Sequence, residues 1–169
     1  MTLSVHTLVG TATALALRNN PPAAVTAAFL SHYVIDAFPH WHYKILSKRI
    51  DSSSPFGKKL DFGTSFLKDI FRTGIDFSIG LIVSLFISEI FFPGNLRLVF
   101  FASVAGALPD AIQVLYYRFK NFKPFYWLQW LHEGIHSEKR LDNEPVKGVA
   151  QQIIISAIVI VFIYFYSNN

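Results

Sequence analysis

The sequence predicts an all-α, membrane-embedded bundle of about five apolar helices, in a single domain spanning residues 1–169. Three observations carry that expectation. Hydrophobic residues make up 52% of the chain and charged residues only 15%, a departure from soluble composition toward a membrane protein. The mean hydropathy is +0.38, and 17 Phe, 7 Tyr and 3 Trp suit packing at lipid and headgroup depth. The apolar residues also gather into runs separated by breaks rich in Pro, Gly, Lys and Arg. The length fits one domain with a sizeable core.

The first apolar segment covers about residues 3–17 and stops at Arg18-Asn19-Asn20-Pro21-Pro22, a strong turn signal. The second covers about residues 23–38, where Pro39 ends or kinks it. At 1.5 Å per residue these two are roughly 23–25 Å long, slightly short of a hydrocarbon core. A polar loop is expected over about residues 43–72, containing Asp51-Ser52-Ser53-Ser54-Pro55 and Lys58-Lys59. The third segment, about residues 76–92, turns at Pro93-Gly94-Asn95 into a fourth that reaches Pro109-Asp110 or continues to Tyr117. A second polar stretch, about residues 118–147, precedes the most continuous apolar run, about residues 149–166.

Basic residues orient these segments. Lys44, Lys48, Arg49, Lys58, Lys59, Lys68 and Arg72 fall in the first long loop. Arg118, Lys120, Lys123, Lys139, Arg140 and Lys147 fall in the second. The positive-inside rule therefore predicts both loops and the N-terminus in the cytoplasm of a multi-pass protein of the cell membrane. The net charge of +4 and pI near 9.4 are explained by these loops, so no nucleic-acid partner is expected. There is no cysteine, which excludes a disulfide, a thiolate metal site and a cysteine nucleophile. The start, Met1-Thr2-Leu3-Ser4-Val5-His6, has no basic n-region and argues against a cleaved signal peptide.

Histidine and aspartate carry the candidate chemistry. His32 and Asp36 are four residues apart in an apolar helix, a spacing that stacks both side chains on one face within reach of one ion. Ionisable groups inside a membrane helix are costly and mark function. His40, after Pro39, either folds back beside them or faces the headgroups with Trp41 and Tyr43, and His42 reads as interfacial. His132-Glu133-Gly134-Ile135-His136 fits H-E-x-x-H, in which two histidines bind zinc and the glutamate serves as general base. Gly134 inside that helix suggests a bend or close packing. Leu108-Pro109-Asp110 ends a run of small residues that lets helices approach closely. Under the predicted topology His6, His32, Asp36, His40, Asp110, His132 and His136 all lie near one membrane face and form the expected metal-ligand set, with Glu133 as the expected catalytic residue. Asp76 lies at the same level but is not counted among the ligands.

These boxes resemble those of the predicted membrane-bound metal-dependent hydrolases of the YdjM-like type. The matching stretches are Val5-His6, Leu108-Pro109-Asp110, His132-Glu133-Gly134-Ile135-His136-Ser137 and Ser31-His32-Tyr33-Val34-Ile35-Asp36. The box at His32 precedes the Leu108-Pro109-Asp110 box here, a permuted order, and Ile112 and Gln113 stand where the family often has a further Asp and His. The resemblance implies metal-dependent hydrolysis of a phosphoester or lipid-like substrate. The leading expectation is therefore a hydrolase with one or two divalent ions, zinc being the expected metal, acting through a metal-activated water. Two alternatives stay open: a membrane zinc protease built on His132, Glu133 and His136, and a non-enzymatic metal-binding membrane scaffold.

Overall fold

The computed structural model describes residues 1–137 and 141–168; Lys139 and Arg140 of the second basic stretch lie outside the described residues. Among the described residues six helices make up the bundle: α1 (Leu3–Ala16), α2 (Pro21–Asp36), α3 (Thr64–Phe91), α4 (Leu96–Arg118), α5 (Lys123–Ile135) and α6 (Pro145–Ser167). Between α2 and α3 lies one antiparallel hairpin, β1 (Lys48–Ile50) and β2 (Lys58–Leu60), with Lys48 opposite Leu60 and Ile50 opposite Lys58.

Helix α1 is the hub. It packs against α2, α3, α4 and α6, and most of its residues are buried. Its 14 residues give a length of about 21 Å, short of a hydrocarbon core of about 30 Å, so it is held inside the bundle. Asp76 on α3 supplies its N-terminal cap, accepting from the Leu3 N–H at 2.6 Å and the Ser4 N–H at 3.4 Å. Helix α2 starts where Pro21 and Pro22 fit the first helical positions and the Asn20 side chain accepts from the Ala23 N–H.

Helices α3, α4 and α6 are long and apolar enough to cross a membrane. Their lengths are about 42, 35 and 35 Å at 1.5 Å per residue. On α3, Ile75, Ile79, Ile82, Phe86 and Ile90 form an exposed stripe at helical spacing, and Ile153, Ile154, Ile158, Val161, Phe162 and Phe165 do the same on α6. Exposed apolar stripes of this extent fit contact with lipid. Gly94, with φ +86°, makes the tight turn between α3 and α4 that a side chain would strain.

The expected helical bundle is present, and besides the hairpin two helical stretches lie where polar loops were expected. Helix α3 begins at Thr64, inside the stretch read as a polar loop, so Lys68 and Arg72 are helical. There, Phe66, Leu67, Ile70 and Phe71 alternate with charges on a helix that runs beyond its apolar part. Helix α5 lies wholly within the second polar stretch; at 13 residues it is too short to register as a span. Helix α4 runs through Pro109 to Arg118.

Small residues bring α1 and α4 together. Ala102, Ser103, Ala105, Gly106 and Ala107 are buried, and Thr11 Oγ1 meets Ser103 Oγ at 3.1 Å across the contact. A Cβ at Gly106 would stand 2.7 Å from the His6 carbonyl oxygen, which belongs to rigid backbone. Gly106→Ala is therefore expected to lower stability by about 1–3 kcal/mol. Gly134→Ala, where a Cβ meets nothing within 4 Å, should raise it by up to about 1 kcal/mol. Thermal unfolding in detergent reads both, and equal effects of the two substitutions would contradict this packing.

Candidate metal centre

Asp36 is the last residue of α2 and is only 2% exposed. Its Oδ2 lies 3.2 Å from His32 Nε2 and 3.7 Å from His132 Nε2. Its Oδ1 lies 3.3 Å from His6 Nε2 and 3.3 Å from His40 Nε2, and 3.2 Å from the Met1 nitrogen. Asp110 Oδ1 approaches His32 Nε2 at 3.8 Å and His132 Nε2 at 3.9 Å. One donor atom from each of His32, Asp36, Asp110 and His132 thus falls within 4.8 Å of the others. His6 stacks on His32 with ring centroids 3.8 Å apart.

The histidine tautomers follow from the backbone. His32 Nδ1 lies 2.8 Å from the Gly106 carbonyl oxygen, which can only accept, so Nδ1 carries the proton and Nε2 presents a lone pair. That lone pair faces a carboxylate oxygen. His6 Nε2 and His32 Nε2 are buried and make no hydrogen bond. The Met1 ammonium at Asp36 Oδ1 is the one cationic group among the described contacts of this array, and a divalent cation fits the imidazole lone pairs gathered around the buried carboxylate. With nitrogen and oxygen donors and no cysteine, the set suits zinc and other first-row divalent metals.

A second histidine group adjoins the first. His40, His42 and His136 each offer one nitrogen within 4.8 Å of the other two. The loop carrying His40 and His42 is held at several points. Gln151 Nε2 donates to the Pro39 carbonyl at 2.8 Å and Gln152 Nε2 to the Trp41 carbonyl at 3.1 Å. The Leu141 N–H donates to the His40 carbonyl, and the His42 N–H donates to Asp142 Oδ1 at 3.1 Å. The Ser137 N–H donates to the Asp36 carbonyl at 2.9 Å, which docks the end of α5 on the end of α2. Burial, then the Met1 ammonium, pushes His40 down to about 4 and lowers His42 as well. Burial also lowers His132. These imidazoles are neutral at pH 7, the form that binds metal.

His132 and His136 stand one turn apart at the end of α5 but belong to different donor groups. Helix α5 ends at Ile135, and His136 is its C-cap: its N–H still donates to the His132 carbonyl at 3.0 Å, its ring centroid is 5.7 Å from that of His132, and ψ 129° turns the chain out of the helix after it. His132 joins Asp36 and Asp110 while His136 joins His40 and His42. Glu133 turns to neither group: its oxygens accept from Lys58 Nζ at 2.7 and 3.0 Å and from Gln129 Nε2 at 3.1 Å. Burial opposes ionisation of Glu133, but Lys58 wins and holds it below the usual carboxylate range. All seven expected ligands therefore meet at Asp36 or in the adjoining group, and the expected general base is engaged elsewhere.

Sequence reasoning passed over two participants. His42, read as interfacial, sits between His40 and His136. Gln113 Nε2 lies 2.8 Å from Asp110 Oδ1 and 3.1 Å from His132 Nε2, one turn after Leu108-Pro109-Asp110. The signal for Gln113 was that spacing of three on a helix.

The site opens on a cavity of about 1210 Å³. Asp110, with its side chain 30% exposed, lines it together with His132 and His136. Lys44, Lys48, Arg49 and Lys58 bring positive charge, and Phe66, Ile70, Phe77, Val104 and Leu108 supply an apolar wall. Comparison with family models, curated proteins and solved structures gives no match. Glu133→Gln is expected to leave bound metal unchanged by elemental analysis and to cost about 1 kcal/mol through weakened bonds to Lys58. Loss of metal in that variant would place Glu133 among the ligands.

Proposed function

We propose that this chain is a metal-dependent hydrolase of the cell membrane that acts on a phosphoester or lipid-like substrate, with its N-terminus and basic segments in the cytoplasm. The observation that carries the reading is the set of His32, Asp36, Asp110 and His132, two of which, Asp110 and His132, line a cavity whose other lining residues include both cations and apolar side chains. The resemblance of the sequence boxes to YdjM-like hydrolases points to the same chemistry.

His32, Asp36, Asp110 and His132 would hold a divalent cation, zinc first, with His6 beside them. When bound, such a cation lowers the pKa of water toward 7 and offsets the charge of a phosphoester. The chain's own residues do the rest. Gly106 fixes the His32 tautomer through its carbonyl, the outer contact that orients a metal-binding imidazole. Gln113 holds Asp110 and His132 in register. Lys58, aligned by Glu133, and the neighbouring Lys44, Lys48 and Arg49 attract a phosphate. Phe66, Ile70, Phe77 and Leu108 would receive an apolar chain and exclude water from it.

The protease alternative is less favoured, because Glu133, its general base, is bound to Lys58. Protein purified in detergent is expected to carry at least one equivalent of divalent metal and to hydrolyse a phosphodiester or phospholipid. His132→Ala should lose that metal and at least about 100-fold in rate. Metal at trace level in both proteins would sink the reading. Metal with no hydrolysis across phosphoester and lipid panels, together with a lower melting temperature on chelation, would favour the scaffold alternative.

A further inference from the structure

We infer that His40, His42 and His136 form a second divalent-cation site, joined to the first by Asp36 as a bridging carboxylate. The inference rests on the reading of His32, Asp36, Asp110 and His132 as a metal site and extends it to a two-metal centre.

The tautomers point to it. His40 Nδ1 lies 2.7 Å from the Phe38 carbonyl oxygen and His136 Nδ1 lies 3.1 Å from the Ser137 carbonyl oxygen. Both Nδ1 atoms must donate, so both Nε2 atoms carry lone pairs. These two lone pairs converge on His42 Nε2, at 2.9 Å from His40 and 3.2 Å from His136. His42 has at most one proton to give at that nitrogen and two acceptors to satisfy. Its Nδ1 is buried without a hydrogen-bond partner, the nearest carboxylate oxygen, Asp142 Oδ1, being 3.7 Å away, and a proton placed on that nitrogen leaves Nε2 as a third donor. Three imidazole nitrogens that close, two of them backed by a carbonyl oxygen at Nδ1, make a set that a cation between them would satisfy.

The spacing fits one. Tetrahedral bonds of about 2.0–2.1 Å separate neighbouring donors by about 3.3 Å. The two histidine contacts measure 2.9 and 3.2 Å, and Asp36 Oδ1 stands 3.3 Å from His40 Nε2 as a fourth donor. The other oxygen of the same carboxylate, Oδ2, faces His32 and His132. One carboxylate thus presents one oxygen to each group. A paired arrangement of this kind clamps both oxygens of an in-line displacement at phosphorus, which narrows the proposed substrates to phosphoesters. The Met1 nitrogen, 3.1 Å from His42 Nε2 and 3.2 Å from Asp36 Oδ1, contacts the same atoms and is the competing source of positive charge.

The test counts metal. Metal-stripped full-length protein in detergent is titrated with Co²⁺ and followed by its visible ligand-field absorption, and zinc-loaded protein is analysed by elemental stoichiometry. Wild type should bind two equivalents. His42→Ala and His136→Gln should each bind one, and Asp110→Asn should retain the equivalent held by the three histidines. His42 keeps 28% side-chain exposure, so the space its truncation leaves is open to water, and the milder His136→Gln guards against misfolding, with helical circular dichroism checking both. One equivalent in wild type that survives His42→Ala and is lost in Asp110→Asn overturns the second site and leaves the first. One equivalent lost in His42→Ala but kept in Asp110→Asn supports the three-histidine site and overturns the first. No binding in wild type overturns both.

Discussion

A carboxylate buried to 2% exposure in an apolar bundle requires positive charge, and Asp36 is where this chain meets that requirement. Nitrogens of His6, His32 and His40 lie within 3.3 Å of it and that of His132 within 3.7 Å. Yet His32 and His40 spend their Nδ1 protons on backbone carbonyls. Protonating His32 Nε2 would serve Asp36 Oδ2 but would leave the convergence of His40, His42 and His136 unaddressed. The Met1 ammonium meets Asp36 Oδ1 at 3.2 Å; on the proposed reading divalent cations would meet both needs, since each supplies charge to several lone pairs without requiring a proton for each.

The scaffold is arranged around this demand. Small residues on α1 and α4 let the two backbones approach until Gly106 touches the His6 carbonyl, and the same stretch offers the Gly106 carbonyl to His32. A larger residue there would move both histidines relative to Asp36. Asp76 holds the start of α1 from α3, and α6 reaches the Pro39 and Trp41 carbonyls through Gln151 and Gln152. Elements far apart in sequence therefore fix the donors through backbone contacts, the kind of support that keeps a polar site ordered.

What the sequence made legible was local. The His32–Asp36 spacing, the Leu108-Pro109-Asp110 box, and a shared level for His6, His132 and His136 required only helical periodicity and the distribution of basic residues. The helices were legible for the same reason, because α1, α2, α4 and α6 are apolar runs closed by Pro or polar breaks. Helix α5 and the first turns of α3 were hidden, since their charges resemble a loop in any hydropathy window. The place of His42 depends on the path of a loop tied to Asp142 and α6, contacts that span about 100 residues and leave no periodic trace. The H-E-x-x-H pattern located both histidines, but the spacing alone could not show that Glu133 turns to Lys58 or that the two histidines join different donor groups.

The position of the site bears on what can reach it. The donors gather where α1 begins, α2 ends and α5 ends, beside a hairpin and helix start that carry Lys48, Arg49, Lys58 and Lys68. Beyond them run the apolar outer faces of α3 and α6. A water-soluble phosphoester would need only the cationic side of the cavity, and the apolar wall of Phe66, Ile70 and Phe77 would give it nothing. An amphiphile uses both, because burial of each methylene contributes about 0.8 kcal/mol while its phosphate remains among the cations. The combination of cations and apolar wall at one cavity thus favours a phosphoester with an apolar chain over a small soluble one.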